Sequence, residues 1–290
     1  MDRRLSCRLS KKHIKIRVMD MVGELACLRE KGRGRPEPVR LGPLEAVRWT
    51  VYAPEGLSER RLERRLRRAE RELCAAHVGR VVLRGGFPYG DRLERLRPVD
   101  PLPLWRETAD LLALGLLDVR GVAYRRGTVA LSAPRMCAEL ERAARRLCPL
   151  VRGLLIDVPG GEDYARYLQA KFGLPVTPPA AGAEVTVAFG PGGGRWGRSL
   201  ELYGQADLGG LTVTAEGLEL AEDCRDQVLA LLWEQGEVKR EQLIARPGAA
   251  SGGGSPGPPP GDGLQRGLPC RGAPCGALLS ARAESNQRHA

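Results

Sequence analysis

From Val47 to Phe172 the chain alternates short β-patterned runs with amphipathic helical ones, and this rhythm limits the fold more than any other feature of the sequence. "VRWTVYA" reads as a strand, followed by the helix "SERRLERRLRRAERELC" with Ser58 as N-cap and Leu62, Leu66, Ala69 and Leu73 along one stripe. "VGRVVLRGG" is the next strand. The helix "PLWRETADLLALGLL", with Pro103 in its first turn, the strand "TVALSA", the helix "MCAELERAARRLC", the strand "GLLIDV" and the helix "EDYARYLQAKF" complete the run. Strands separated by helices of this length are joined by right-handed crossovers, so the expected fold is α/β, with a mostly parallel, doubly wound sheet covered on both faces. Around it, "HIKIRVM" and "GELACLR" suggest an N-terminal β-hairpin, "AEVTVAF" and "SLELYG" an antiparallel edge hairpin, and "LTVTA" a further strand. "AEDCRDQVLALLWEQGEVKREQLIAR" reads as two closing helices. The expected division is a basic arm and hairpin over 1–46, the α/β domain over 47–246, and a Gly/Pro-rich tail over 247–290 with no fixed structure, because its apolar residues are few and aperiodic.

The formal charge of +11 invites a nucleic-acid reading, but its distribution argues against one. Residues 1–40 hold 12 Lys and Arg against 5 acids, whereas residues 41–246 are nearly balanced at 30 against 28. The excess therefore sits in a short arm that is expected to be solvated. Arginine outnumbers lysine 40 to 6, as codon usage in a GC-rich genome would produce, and aromatics are only 4% of the chain. Nucleic acid is accordingly not the expected partner. In the arginine-rich helix from Ser58 to Cys74, Glu59, Glu63, Glu70 and Glu72 alternate with the bases at pairing distance, which predicts a solvated face.

No run is long and apolar enough for a signal core or a membrane span, so a cytoplasmic protein with no membrane partner is expected. The eight cysteines (Cys7, Cys27, Cys74, Cys137, Cys148, Cys224, Cys270 and Cys275) include no CxxC pair and fall mostly on apolar helix faces, where thiols act as small hydrophobes. Cys270 and Cys275 lack companion ligands, and no metal site is expected. The three histidines, His13, His77 and His289, lie in no recognisable catalytic set, and there is no G-x-S-x-G elbow.

In an open parallel sheet, ligands lie beyond the carboxyl ends of the strands, where strand order reverses. Three such ends carry candidate residues: Gly85, Gly86, Tyr89 and Asp91 in "RGGFPYGD", Ser132 and Arg135 in "LSAPR", and Asp157, Gly160, Gly161 and Glu162 in "IDVPGGE". The competing explanation is that these glycines and prolines end strands because tight turns need them. "GGGRWGRS", Gly192 to Ser199, has phosphate-loop spacing with arginine in place of lysine, but strand-like sequence follows it, so a hairpin loop is expected.

The unit "TVALSAPRMCAELERAARRLCPLVRGLLIDV" resembles the central part of a Rossmann-type domain, and "VPGGEDYARYLQAKFGLPV" resembles the helix that follows in shikimate-dehydrogenase-like proteins. This resemblance implies a Rossmann-like sheet in which Asp157, ending the second strand, holds ribose hydroxyls. The G-x-G-x-x-G fingerprint is replaced by "SAPRMC". The chain from the hairpin to Arg246 also resembles uncharacterised bacterial proteins of clostridia-like genomes, which implies no activity. The expected function is binding of a small ligand or a protein partner without catalysis, and no cofactor is assigned. One alternative is a nucleotide-dependent enzyme of dehydrogenase or transferase type. The other is nucleic-acid binding through the basic arm or through a helix-turn-helix-like pair in "QVLALLWEQGEVKREQLIAR", where Lys239, Arg240 and Arg246 would face phosphate and Glu237 and Glu241 would oppose it.

Overall fold

A computed structural model describes residues 21–173, 182–194 and 196–248, all within one unit spanning Met1–Ala250. The arm with "HIKIRVM" and His13, Cys7, the tail from residue 249 with Cys270, Cys275 and His289, and the stretch 174–181 lie outside the described residues. The protein is α/β, but its parallel strands are divided between two sheets.

The first sheet has the order β2–β3–β1–β4–β5, built from β1 (Met21–Leu28), β2 (Pro36–Leu41), β3 (Leu44–Tyr52), β4 (Val78–Leu83) and the short β5 (Arg97–Pro98). β2 and β3 form the N-terminal antiparallel hairpin, turning at Gly42, whose φ of 61° suits glycine. The hairpin thus lies further along the chain than expected. "GELACL" is part of β1, the central strand, which runs parallel to both β3 and β4. A central parallel strand is covered on both faces, and Val22 to Leu25 of β1 are all buried, unlike the alternately solvated arm of a hairpin. α1 (Glu59–Ala75) crosses over β1 and buries Leu62, Leu66, Ala69 and Leu73 against Leu25, Val51 and Val81. Glu63–Arg67 and Arg68–Glu72 pair along its outer side. Glu70 does not belong to the solvated face: it is buried, and its Oε1 accepts the backbone N–H groups of Glu94 and Arg95, both at 2.8 Å.

The second sheet has the order β7–β6–β8–β9 and is wholly parallel. Its strands are β6 (Thr128–Ser132), β7 (Gly153–Asp157), β8 (Val185–Ala188) and β9 (Arg198–Glu201), with α4 (Ala138–Leu147) and α5 (Glu162–Phe172) after β6 and β7. The expected antiparallel edge hairpin is therefore corrected, because β8 and β9 run the same way, with Val185 opposite Arg198. The predicted helix at "PLWRETADLLALGLL" is two, α2 (Leu102–Glu107) and α3 (Ala109–Val119), divided at Thr108. α3 is apolar around nearly its whole circumference, the mark of a helix buried on all sides. It packs against β8 and β9 on one side and against the two-stranded sheet of β10 (Leu211–Ala215) and β11 (Leu243–Pro247) on the other. Gly115 allows the close approach, since a Cβ there would lie 3.1 Å from that of Ala245.

Only one of the two expected closing helices forms, α6 (Arg225–Gln235). The second is a single 3₁₀ turn at Arg240–Gln242 leading into β11, so there is no helix-turn-helix. Arg240 is held inside the fold, donating to Asp110 Oδ2 and to the Glu107 carbonyl. Burial pushes the Asp110 carboxyl above its ordinary range against the pull of Arg240 and Arg146. Burial likewise raises the thiols of Cys148 and Cys224, each to about 11, so they pack as hydrophobes.

Glu24, on β1, is fully buried. Parallel register places Arg48 of β3 directly beside it, and Arg48 donates to both carboxylate oxygens, Nε to Oε2 at 2.7 Å and Nη2 to Oε1 at 3.1 Å. Arg84, just beyond β4, adds a third bond at 3.2 Å and continues to Asp223 at 2.6 Å, before α6. Losing an arginine strands a buried charge, whereas losing the carboxylate leaves arginines that reach water. Arg48→Met should therefore lower the unfolding free energy by about 3 kcal/mol, and Glu24→Gln by clearly less, as measured by urea denaturation.

Candidate functional site

The strand order β7–β6–β8 makes the carboxyl ends of β6 and β8 a point where successive connections leave in opposite directions, the place where open α/β sheets hold ligands. Ser132 ends β6, Asp157 ends β7 opposite it in register, and Ala188 ends β8 opposite Ser132 on the other side. Neighbours in register project to the same face. Ala130, Leu155 and Thr186 therefore share a face with Ser132 and Asp157, while Val129, Leu131, Leu154, Val185 and Val187 point into the main core.

The chain itself covers the carboxyl end of this face, at Ser132, Asp157 and Thr186. Nine residues, 189–197, join β8 to the parallel β9 and must return along the sheet within that length. Arg106 of α2 fixes the start by donating to the carbonyls of Phe189, at 3.3 Å, and Leu202, at 2.8 Å. Gly190 lies on Pro134, where a Cβ would come within 2.9 Å of the ring Cγ. Gly193 sits directly over the strand ends: a Cβ there would be 2.6 Å from Ser132 Oγ and 3.2 Å from Asp157 Oδ2. The Gly194 N–H donates to Asp157 Oδ2 at 2.6 Å, and the Trp196 N–H donates to Thr186 Oγ1 at 2.9 Å while the Thr186 hydroxyl returns a bond to the Trp196 carbonyl at 2.6 Å. Beneath this cover the Ser132 hydroxyl is buried with no hydrogen-bond partner among the described residues. A buried hydroxyl without a partner carries a desolvation cost that a bound polar group would relieve.

The structure thus brings Ser132 and Asp157 together and adds Gly193, Gly194, Thr186 and Trp196, which the sequence reading did not assign. Gly193, Gly194 and Trp196 lie in the glycine-rich run after β8, which carries the same sequence signature as a hairpin loop, and Thr186 carries no local signal. Arg135 is exposed in the turn after β6. Gly160 takes a φ of 70° in the Pro-Gly-Gly turn, and Gly161 precedes α5 with its N–H on the Val158 carbonyl at 2.9 Å, so the turn accounts for both glycines, and Glu162 is exposed. Gly85, Gly86, Tyr89 and Asp91 belong to the other sheet, beyond β4. There Gly85 and Gly86 have φ of 57° and 65° and make the turn, and Tyr89 stands edge-on to Phe87 with Arg92 over its ring. Among the described residues no group of three His, Cys, Asp or Glu could hold a metal ion, and no helix is long and apolar enough to cross a membrane.

The clasp is open to direct measurement. Asp157→Ala should speed hydrogen exchange of the Gly194 amide about tenfold or more, because a charge-assisted bond is worth ~1.5–3 kcal/mol. Gly193→Ala should displace the loop and expose it to limited proteolysis, since the new methyl has no room above Ser132. No protein-family model and no curated protein matches the chain.

Proposed function

We propose that the protein binds a small hydroxylated ligand, with a nucleoside or nucleotide ribose as the best-fitting case, at the ends of β6, β7 and β8 beneath the glycine-rich loop. The observation that carries this reading is the clasp of Gly194 on Asp157 above the buried Ser132 hydroxyl, which has no hydrogen-bond partner among the described residues. A carboxylate that accepts one backbone N–H with the loop closed accepts hydroxyl protons equally well once the loop lifts. Ser132 can then donate to or accept from the same ligand, and the freed N–H of Gly194 is a further donor. Opening exchanges one charge-assisted bond for several, so the complex recovers its cost.

The resemblance to shikimate-dehydrogenase-like proteins supports the ribose, since it gives Asp157 that role. The chain departs from that family in where its glycines lie. They follow β8 rather than β6, and the turn after β6 contains Pro134, which bars the close backbone approach that a pyrophosphate needs. Hydroxyl recognition is therefore favoured over a full dinucleotide. Exposed Glu162 and Asp163 beside the crevice also favour a neutral or cationic group over phosphate at this end.

Thermal-shift titration with ribose, adenosine, AMP and NAD tests the reading. A ligand at 100 times its dissociation constant stabilises by about 2.7 kcal/mol, enough to raise the melting temperature by several degrees. The expected result is a shift with a ribose-containing compound that Asp157→Ala abolishes and Ser132→Ala weakens. No shift with any of the four, or one unaffected by Asp157→Ala, would remove the proposal.

A further inference from the structure

The second feature that suggests a ligand lies on the other sheet. The loop between β1 and β2, "REKGRGR" from Arg29 to Arg35, folds back over the end of β3 instead of projecting into solvent. Gly32 lies on the Tyr52 ring, where a Cβ would be 2.7 Å from Cγ, and Gly34 lies on Trp49, where it would be 2.7 Å from the indole nitrogen and 2.5 Å from the Thr50 carbonyl oxygen. Any side chain at either position would lift the loop off the rings, so the two glycines set its position. Between this loop and α1 runs a groove with a cavity of about 530 Å³, lined by Arg33, Arg35, Trp49, Tyr52 and Arg68, and a neighbouring one of about 260 Å³ that adds Arg65.

The charges in this groove are unevenly matched. Arg65 donates to the neutral carbonyl of Tyr52 rather than to a carboxylate. Arg35 meets Glu37 at 3.4 Å with both side chains well exposed, and Arg68 meets Glu72 only at 3.9 Å. Such exposed pairs hold their partners weakly. Arg33 forms no ion pair among the described residues and lines both cavities. Four arginines from two separate elements thus line a space of small-ligand size, with Glu37 and Glu72 sharing its wall.

We propose that this groove is a phosphate-binding site for a small phosphorylated ligand, with Arg33 and Arg68 as its main contacts. Guanidinium groups pair with phosphate oxygens through two parallel N–H donors, and two such forks from opposite walls fit a phosphate or pyrophosphate between them. A nucleic-acid strand is disfavoured, because a line of phosphates along the groove would run against Glu37 and Glu72.

Titration calorimetry on the full chain with pyrophosphate decides it, since pyrophosphate has no ribose and leaves the Asp157 crevice out of the measurement. Binding should weaken as salt rises, fall about tenfold or more in Arg33→Ala and in Arg68→Ala, tighten in Glu72→Gln, and stay unchanged in Asp157→Ala and in Arg125→Ala, an exposed arginine outside the groove. All of these side chains are at least partly exposed, and circular dichroism checks each variant's fold. Absence of pyrophosphate binding, or binding indifferent to Arg33 and Arg68, would overturn the site. An oligothymidylate that binds where pyrophosphate does not, more tightly with length, would overturn the small-ligand assignment.

Discussion

A fully buried carboxylate in the central strand of a sheet is costly unless every oxygen is matched, and Glu24 imposes that condition on three elements at once. Arg48 satisfies it from β3 and Arg84 from the end of β4, so the register of both neighbours is tied to one side chain. The chain of charges then leaves the sheet: Arg84 continues to Asp223, the Leu83 N–H donates to Gln227 at 2.6 Å, and Arg80 pairs with Glu234. Gln227 and Glu234 lie on α6 and Asp223 just precedes it, so the helix is attached to β4 along its length. An apolar residue at position 24 would pack as well but would specify neither the partner strand nor the seat of α6.

The remainder of the fold is arranged around α3. A helix that is apolar on every side cannot sit on a surface, and here it fills the space between the parallel second sheet and the β10–β11 pair. The parallel strands divide because β6 does not extend the sheet of β4: the chain first passes through α2 and α3, and β6 then pairs with β7 and β8.

Much of this was legible in the sequence, and the failures share a physical cause. Strand and helix identities from Val47 to Phe172 followed from periodicity, because each helix shows its buried stripe, as with Leu62, Leu66 and Leu73, and each buried strand its apolar run. What periodicity does not carry is partner choice. β1 reads as a hairpin arm because nothing local says that its neighbours are β3 and β4. "EVKREQLIAR" reads as a helix because its charges have helical spacing, yet the bonds of Arg240 to α3 and the pairing of Leu243–Pro247 with β10 are tertiary and override it. Ser132 and Asp157 were found because strand ends can be located. Their cover was not, because a glycine run between two strands is the ordinary mark of a hairpin, and only the parallel register of β8 and β9 shows otherwise.

That register also explains why the cover exists. Joining two parallel strands usually takes a dozen or more residues and a helix, and here nine suffice. The chain must then hug the sheet on its way back, and close passage over Ser132 at Gly193 leaves no room for a Cβ. A return path of this kind buries almost no apolar side chain between Gly190 and Gly194, so its order depends on a few hydrogen bonds, chiefly those to Asp157 and Thr186. Segments held in this way open at far lower free energy than the whole domain unfolds. The ties are separate: the Gly194 N–H holds the middle of the loop to Asp157, and the mutual bonds of Thr186 and Trp196 hold its far end, so loss of the first leaves the second in place.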